Sequence, residues 1–372
     1  MPDEDDVLSW LHIGDMHITN ETEQNYIDLK RIVDLAKGLP TGSVDFAVLP
    51  GDNADDGTPE QFRLVRDAIA PLPMPMPLHI LPGDHDFKPR TLDAFHDVLG
   101  AERLPKAVTV RGHRCLFLDV VSAGAGGPDF RLGEEQLAWA ERELGEAEAA
   151  GQDAVVFMHT YPADLREGAK RLGILLSKPH VICVDMGHTH YNELANDGAT
   201  IFMATRSTGQ IEEGPTGFSI AAVDGRRVSW RFKPLDAAWP FVLIICPTDR
   251  RLATEASRDV RGTALVRAKV LGDAPMSSVE MRADGGMWMT MRPVPGDTAL
   301  WEASGPANVR HVTVRARDAN DRLDEDYIEP AGDGWTPPKR QADGSDADRI
   351  EAWPDRGIFG TQLGPNRNGR KW

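Results

Sequence analysis

The sequence has few cysteines and no long apolar run. Its three cysteines, Cys115, Cys183 and Cys246, lie far apart, each inside an apolar segment. We therefore expect buried thiols rather than disulfides or a thiolate metal site. No apolar run approaches the ~18 residues that cross a bilayer, so we expect no membrane partner. The acidic start, Met-Pro-Asp-Glu-Asp-Asp, lacks the basic and then apolar order of a secretory signal, which favours a cytoplasmic protein.

Positive charge is also scarce in this chain. Lysine and arginine number 41 against 58 aspartates and glutamates, a formal net charge of −17. Non-specific binding to nucleic acid depends on neutralising phosphates with lysine and arginine, so we expect no nucleic-acid partner and disfavour a nuclease. An acidic protein can still hydrolyse phosphate esters where bound cations reverse the local field.

Strand, loop and helix patterns follow one another three times in the first hundred residues. Each strand-like apolar segment ends in a Gly-Asp pair, at Asp15, Asp52 and Asp84, and a segment of helical spacing comes next. This βαβ rhythm predicts a parallel sheet of the α/β class with these loops gathered on one edge.

The texture of the sequence changes after Lys233-Pro234. Residues 236–330 have short strand-like segments between Gly, Asp and Pro turns, which predicts a small immunoglobulin-like β-sandwich. The tail is rich in glycine and proline but keeps large apolar side chains, so we expect an ordered, irregular arm. We therefore predict a first domain over 1–235, a β-sandwich over 236–330 and an arm over 331–372.

Ionisable side chains follow apolar runs at eight positions where strands are predicted to end. They are Asp15, His17, Asp52, Asp84, His85, His159, His188 and His190. Imidazole and carboxylate groups without thiolate are ligands for Mn, Fe, Zn or Co. These groups are too many for one ion, so we expect two divalent metal ions with a carboxylate between them.

Five short motifs in this order resemble those of the calcineurin-like metallophosphoesterases. They are Asp15-Met16-His17, Gly51-Asp52-Asn53, Gly83-Asp84-His85-Asp86, His159 and Gly187-His188-Thr189-His190. The resemblance covers residues 7–232 and is strongest to the branch of class III cyclic-nucleotide phosphodiesterases and glycerophosphodiesterases. It implies a four-layer αββα sandwich, with two β-sheets back to back and helices outside.

The resemblance also implies a role for each site residue. The first ion would be held by Asp15, His17 and His190, the second by Asp84, His159 and His188, and Asp52 would bridge them. His85 would contact the phosphate and act as general acid, and Asp86 would orient it by accepting its ring N–H. The family normally has Asn at the position of Asp84. Separately, Arg206 lies near the end of a predicted hairpin, where it is a candidate contact for a substrate phosphate.

These observations favour a dinuclear-metal hydrolase, with Mn, Fe or Zn. Its substrate would be a small-molecule phosphodiester, such as a cyclic nucleotide or a glycerophosphodiester, attacked in line by a metal-bridging hydroxide. Two alternatives stay open: a phosphomonoesterase acting on a small phosphate ester, and a non-catalytic binding module on the same fold. A homo-oligomer is compatible with all three.

Overall fold

The protein is described here by a computed structural model that covers residues 7–72, 76–257, 265–332, 334–339 and 348–360. Up to residue 234, strands and helices follow one another in this order: β1 (Val7–His12), α1 (Gln24–Lys37), β2 (Phe46–Leu49), α2 (Pro59–Ile69), β3 (Leu78–Ile80), α3 (Asp93–Asp97), β4 (Lys106–Val110), β5 (His113–Phe117), α4 (Glu134–Ala149), β6 (Ala154–Phe157), α5 (Ala169–Leu176), β7 (Val181–Met186), β8 (Glu193–Asn196), β9 (Ile201–Ala204), β10 (Gly217–Asp224) and β11 (Arg227–Pro234). A 3-10 turn, Pro162–Asp164, precedes α5. None of the helices in these described ranges has the length and apolar character needed to cross a membrane.

These strands form two mixed sheets. The first has the order β11-β10-β1-β2-β3, in which β1, β2 and β3 are parallel, β10 is antiparallel to β1, and β11 is antiparallel to β10. The second has the order β4-β5-β6-β7-β9-β8, with β5, β6, β7 and β9 parallel and an antiparallel strand at each edge. Parallel strands bring their carboxyl ends to one edge of each sheet, so the loops that follow them meet there.

An apolar layer joins the two sheets face to face. Trp10 and Phe46 of the first sheet pack against Phe157 of the second, with ring centroids 5.5 and 5.7 Å apart. On β1, Leu8 and Trp10 point into this layer, whereas Val7 and Leu11 belong to the cluster that the outer helices cover. Successive side chains of a strand point to opposite faces of the sheet, and both faces of β1 are buried, so β1 carries apolar side chains on both. The predicted αββα fold is confirmed.

Each cysteine lies at a buried position on a strand, as expected. Cys115, Cys183 and Cys246 are all buried, and none of them forms a disulfide. The prediction of core thiols is confirmed.

A small all-β unit follows, as predicted. Its strands are β12 (Phe241–Cys246), β13 (Leu265–Leu271), β14 (Met276–Ala283), β15 (Met289–Thr290), β16 (Arg292–Pro293), β17 (Leu300–Ser304), β18 (Val312–Asp318) and β19 (Leu323–Ile328). They form two four-stranded antiparallel sheets, β12-β13-β17-β16 and β15-β14-β18-β19. Val242 and Ile244 of β12 face the core between these sheets, and Leu243 and Ile245 join the cluster of the first unit. Because β12 serves both cores, the predicted boundary at residue 235 stays a prediction.

The described part of the arm lies along the edge of the second sheet. The N–H of Asn196 donates to the carbonyl of Asp348 at 2.8 Å, and the N–H of Ile350 donates to the carbonyl of Leu194 at 2.8 Å. Trp353 and Ile358 belong to the layer between the two large sheets. The sequence also predicts that three basic residues near its end draw the arm to the acidic body; these residues, Arg367, Arg370 and Lys371, lie outside the described residues.

Candidate metal centre

The predicted metal ligands follow strands of both large sheets. Asp15 and His17 come after β1, Asp52 after β2, Asp84 after β3, His159 after β6, and His188 and His190 after β7. All seven side chains are buried. Their roles as metal ligands stay a prediction.

Asp52 lies between two groups of potential ligand atoms. One group contains His17, Asp52 and His190, and the other contains Asp52, Asp84, His159 and His188; within each, the atoms lie within 4.8 Å of one another. The Oδ2 atom of Asp52 is 3.6 Å from Nε2 of His17 and 3.5 Å from Nε2 of His159. One carboxylate thus faces imidazoles of both groups, which is the placement that a bridging ligand requires.

His159 is held in the orientation that a ligand needs. Its Nδ1 donates to the carbonyl of Pro50 at 3.1 Å, so Nε2 is the nitrogen that faces the other predicted ligands. That Nε2 lies 3.3 Å from Oδ1 of Asp84, and Nδ1 of His188 lies 3.3 Å from the same oxygen. The ring of Phe130 packs edge-on against His188, with centroids 4.7 Å apart. Asp84 therefore faces two imidazoles beside an aromatic wall.

Asp15 lies beside the two groups without being a member of either among the described residues. Its Oδ2 accepts the N–H of His188 at 2.8 Å, whereas its Oδ1 has no hydrogen-bond partner within the described part of the chain. The Nδ1 atom of His190 is likewise buried and unpartnered there. Buried polar atoms normally find a partner. The buried acceptors and the sulfur-free donor set therefore fit divalent cations.

The backbone of this centre is strained at four predicted ligands. His17, Asp52, His188 and His190 have φ values of 46°, 50°, 67° and 64°, in the left-handed region that side chains other than glycine seldom occupy. Each such residue costs about 1–3 kcal/mol, and such residues collect at functional sites. At Gly51, φ is 133° and an added Cβ would overlap the ring of His159. Only glycine fits there.

In the group of Asp52, Asp84, His159 and His188, the carboxylates and the imidazoles stabilise each other's charged forms. Burial and the Asp84 carboxylate raise the pKa of Asp52, but the imidazoles of His159 and His17 outweigh them, and the pKa lies below its usual value. Burial lowers the pKa of His159, but Asp52 and Asp84 outweigh it, and the pKa lies well above its usual value. The carboxylates of Asp52 and Asp84 are therefore ionised, as metal ligands must be, and His159 would release its proton on binding a metal.

His85 lies at the rim of the centre, with 22% of its side chain exposed. Its backbone N–H donates to Oδ1 of Asp52 at 2.8 Å, and its ring Nδ1 lies 2.9 Å from the carbonyl and 3.1 Å from Oδ1 of Asp55. Asp55 also lies 3.5 Å from Nδ1 of His17, and these three residues form a further cluster of potential ligand atoms. The position of Asp55 beside His85 was not predicted from the sequence. Its position three residues after Asp52, in the same Gly-Asp loop, was the available signal.

Asp86 has a different position from the one expected. It is fully buried and accepts backbone N–H groups from Asn53, Ala54 and Gly83 at 2.9–3.1 Å, and the side-chain amide of Asn53 at 2.8 Å. Its carboxylate thus ties the loop after β2 to the loop after β3. The carboxylate beside the ring of His85 is that of Asp55, so we correct the predicted role of Asp86.

Arg206 is likewise not placed to meet a substrate. Its side chain is fully buried, and Nη1 donates to the carbonyls of Glu213 and Pro215, at 3.1 Å each. Its Nη2 donates to the carbonyl of Gly357 in the arm. These bonds leave no exposed face for a phosphate. The expected substrate contact is replaced by an internal one.

Comparisons with known proteins identify a family for the first part of the chain. Residues 8–192 match the family model described as calcineurin-like phosphoesterase. A glycerophosphodiester phosphodiesterase of Enterobacter lignolyticus is 28% identical over 200 residues, which are 48% of this chain and 69% of that protein. A 3',5'-cyclic adenosine monophosphate phosphodiesterase of Escherichia coli K12 is 29% identical over 172 residues, which are 44% of this chain and 61% of that protein. A dimetal phosphatase from Danio rerio has a solved structure that aligns with a TM-score of 0.48 at 16% identity, covering 62% of this chain and 97% of that one. Residues 8–192, with their five ordered motifs, belong to the calcineurin-like phosphoesterase family.

Proposed function

We propose that this protein is a metal-dependent phosphodiesterase that hydrolyses a small-molecule diester. The observation that carries the proposal is Asp52, which lies between two groups of buried ligand atoms in a chain of this family. The two groups, with Asp15 beside them, would hold two divalent ions, Mn, Fe or Zn. Such ions supply a nucleophile near neutral pH and stabilise charge on the phosphoryl oxygens.

His85 is the residue that we assign to the leaving group. Its Nδ1 faces the carbonyl and the carboxylate of Asp55, so Nε2 is the nitrogen left to act on substrate. A hydrogen bond with His17 and the charge of Lys88 lower the pKa of Asp55 to about 2 against the opposing effect of burial, so this partner is ionised. As the P–O bond breaks, a protonated His85 gives its proton to the departing alkoxide, which leaves as an alcohol.

Asp84 favours a diester over a monoester. It adds a carboxylate where the family normally has a neutral amide, and it faces His159 and His188 inside the centre. An added negative charge repels a dianionic monoester more strongly than a monoanionic diester. The two phosphodiesterases among the relatives support the same class and name its two candidate substrates, a glycerophosphodiester and 3',5'-cyclic AMP.

The test is a hydrolysis screen of the full chain with added Mn²⁺. It compares bis-p-nitrophenyl phosphate, p-nitrophenyl phosphate, cyclic AMP and glycerophosphocholine. We expect the highest kcat/KM for diesters, and we expect Asp52→Ala to lose bound metal and activity because the ions lose the carboxylate that they share. Asp34→Ala, at an exposed position on α1, is the control that should change neither.

Three outcomes would contradict the proposal. A preference for p-nitrophenyl phosphate would make the protein a phosphomonoesterase. No hydrolysis of any ester by a protein that binds its metal would make it a binding module. An Asp52→Ala variant with full metal content and activity would show that Asp52 is not the shared ligand.

A further inference from the structure

Arg206 connects the arm to the segment after β9. Its guanidinium is fully buried and bonds main-chain carbonyls at three places: Glu213, Pro215 and, through Nη2, Gly357 of the arm. A guanidinium presents its donors in a rigid fork, so several carbonyls fix its position closely. Among the described residues, the only carboxylate beside it is that of Glu213, whose Oε1 lies 3.6 Å from Nη2 of Arg206. This arginine therefore joins backbone segments rather than serving mainly as half of an ion pair.

Aromatic rings enclose the same guanidinium. The ring of Phe232, on β11, lies 4.5 Å from its Cζ, and the ring of Phe359, in the arm, lies 5.1 Å from it. Phe232 is buried, and Phe359 is 44% exposed. The arm therefore contributes both an acceptor and an apolar cover to Arg206.

The backbone of Arg206 continues the connection toward the predicted ligands. Its N–H donates to Oδ1 of Asn192 at 2.8 Å, and the amide of Asn192 donates to the carbonyl of Gly357 at 3.0 Å. Asn192 is two residues beyond His190. The carbonyl of Gly357 thus ties together the arm, the loop after β7 and the segment after β9.

The residues after Arg206 hold the main chain of Asp15. The hydroxyl of Ser207 donates to the carbonyl of Asp15 at 2.7 Å, and the N–H groups of Thr208 and Gly209 approach the same carbonyl at 3.0 and 3.1 Å. The N–H of Ser207 also lies 3.4 Å from the carbonyl of His190. One short segment therefore contacts the main chain of two predicted ligands of the first ion.

We propose that the arm positions Asp15 and His190 through Arg206, so that it is part of the metal centre without contributing a ligand. This inference rests on the proposed function, because it assumes that both residues bind metal. The left-handed conformation of His190, with φ of 64°, must be held by its surroundings. Groups that orient metal ligands typically change metal affinity by about 10- to 100-fold. Arg206 is a positioning residue of this kind.

The test compares Arg206→Gln with Arg231→Gln in the full-length chain. Arg231 is a matched control, because it also donates to a carbonyl, that of Val242, and faces a phenyl ring, that of Phe241 at 4.9 Å. It pairs with Asp324 at the junction with the β-sandwich, away from the predicted ligands. Mn²⁺ affinity is measured on the metal-free protein by isothermal titration calorimetry, without substrate.

We expect both variants to melt earlier and only one to lose metal affinity. Arg206→Gln should weaken Mn²⁺ binding by about 10- to 100-fold at one of the two sites, and Arg231→Gln should leave both sites within twofold of wild type. Arg206→Lys, which keeps the charge but not the fork, should restore affinity only in part. Wild-type affinity in Arg206→Gln, or an equal loss in Arg231→Gln, would overturn the inference.

A milder variant keeps the test valid where Arg206→Gln does not fold. Phe359→Ala removes the exposed ring beside Arg206 and should weaken Mn²⁺ binding by about two- to fivefold. Leu323→Ala, at a position 47% exposed on the β-sandwich, is its control. Unchanged affinity in Phe359→Ala would overturn the inference. A wild-type protein that binds Mn²⁺ but hydrolyses no diester would overturn the proposed function alone.

Discussion

Two carboxylates of one loop contact both the ligand groups and His85. Asp52 turns Oδ2 toward His17 and His159 and receives the backbone N–H of His85 on Oδ1. Asp55, one short turn later, lies beside the rings of His85 and His17. The loop therefore fixes His85 at its backbone and at its ring. A side chain held at two points is suited to proton transfer, because its reacting atom is already in place.

This arrangement predicts how His85 variants respond to the leaving group. His85→Ala should keep its Mn²⁺ content, because His85 is predicted to act on the substrate rather than on a metal. It should lose about 10²- to 10⁴-fold in rate on alkyl diesters, which need a proton on the departing oxygen. The loss should be much smaller for bis-p-nitrophenyl phosphate, whose leaving group needs none. Steady-state kinetics on both kinds of ester give the measurement.

Asp55→Asn is the companion variant for this test. An amide keeps the size of the side chain but not its charge, so we expect a loss in the same direction and smaller than that of His85→Ala. Equal losses on alkyl and p-nitrophenyl esters in His85→Ala would assign His85 to another step.

Strand β3 places a buried histidine in the layer between the large sheets. The ring of His79 lies 4.3 Å from that of Phe117 and 5.1 Å from that of Phe46. Its Nδ1 has no hydrogen-bond partner among the described residues. Burial, with a smaller effect from the charge of Lys106, lowers the pKa of His79 to about 4. The folded state therefore resists the protonation that an unfolded chain accepts near pH 6.5.

His79 should make folding sensitive to acid in a defined range. Above pH 6.5, His79 is neutral in both the folded and the unfolded state, and it does not reduce the free energy of unfolding. As the pH falls from 6.5 to 4, the unfolded state takes up the proton and the folded state does not, so the free energy of unfolding falls. Relative to His79→Leu, the wild-type protein should lose up to about 3 kcal/mol of unfolding free energy over that range. Urea unfolding of both proteins at several pH values measures the difference. Parallel pH dependences would show that His79 is not the group responsible.

Sequence patterns predicted most elements that have strong local signals. Helix α2 is an example, because Thr58 accepts the N–H of Gln61 and Pro59 stands at the first turn. Helix α5 was missed. It has only eight residues, includes Gly173 and places the 61% exposed Ile174 among buried leucines, so its short apolar run does not by itself distinguish a helix from a strand. Short elements of this kind depend on tertiary packing, which no local window contains.

In the site too, features that depend on local sequence could be predicted, and features that depend on contacts between distant residues could not. Strand ends followed by Gly-Asp or Gly-His indicated which side chains meet, since parallel strands share an edge. The direction of Asp86 depends on N–H groups offered by two separate loops, which the tripeptide Asp84-His85-Asp86 does not reveal. The partner of Arg206 lies 151 residues away, at Gly357. Contacts of this range are set by the whole fold.

At the scale of the whole molecule, Arg356 joins three parts of the chain. It belongs to the arm, its Nη1 donates to the carbonyl of Trp230 on β11 at 3.3 Å, and its Nη2 lies 2.9 Å from Oδ1 of Asp326 on β19. Both members of this ion pair are buried. The other oxygen of Asp326 accepts the N–H of Ile244 on β12 at 2.7 Å. The arm, the first large sheet and the β-sandwich therefore share one buried polar cluster.

Removing residues 355–372 should therefore lower the free energy of unfolding of the whole protein. The truncation leaves Asp326 buried without its cation, which typically costs about 3–5 kcal/mol. It also removes the Gly357 carbonyl that Arg206 and Asn192 share, so the Michaelis constant or the metal affinity should change as well. Urea unfolding and steady-state kinetics measure the two effects.

Truncation of residues 361–372 alone retains Arg356 and Gly357 and is the matched control. If that shorter truncation has the same effect, the stabilising contacts are not those of Arg356 and Gly357; if the longer one leaves the melting curve and the kinetics unchanged, the arm is dispensable.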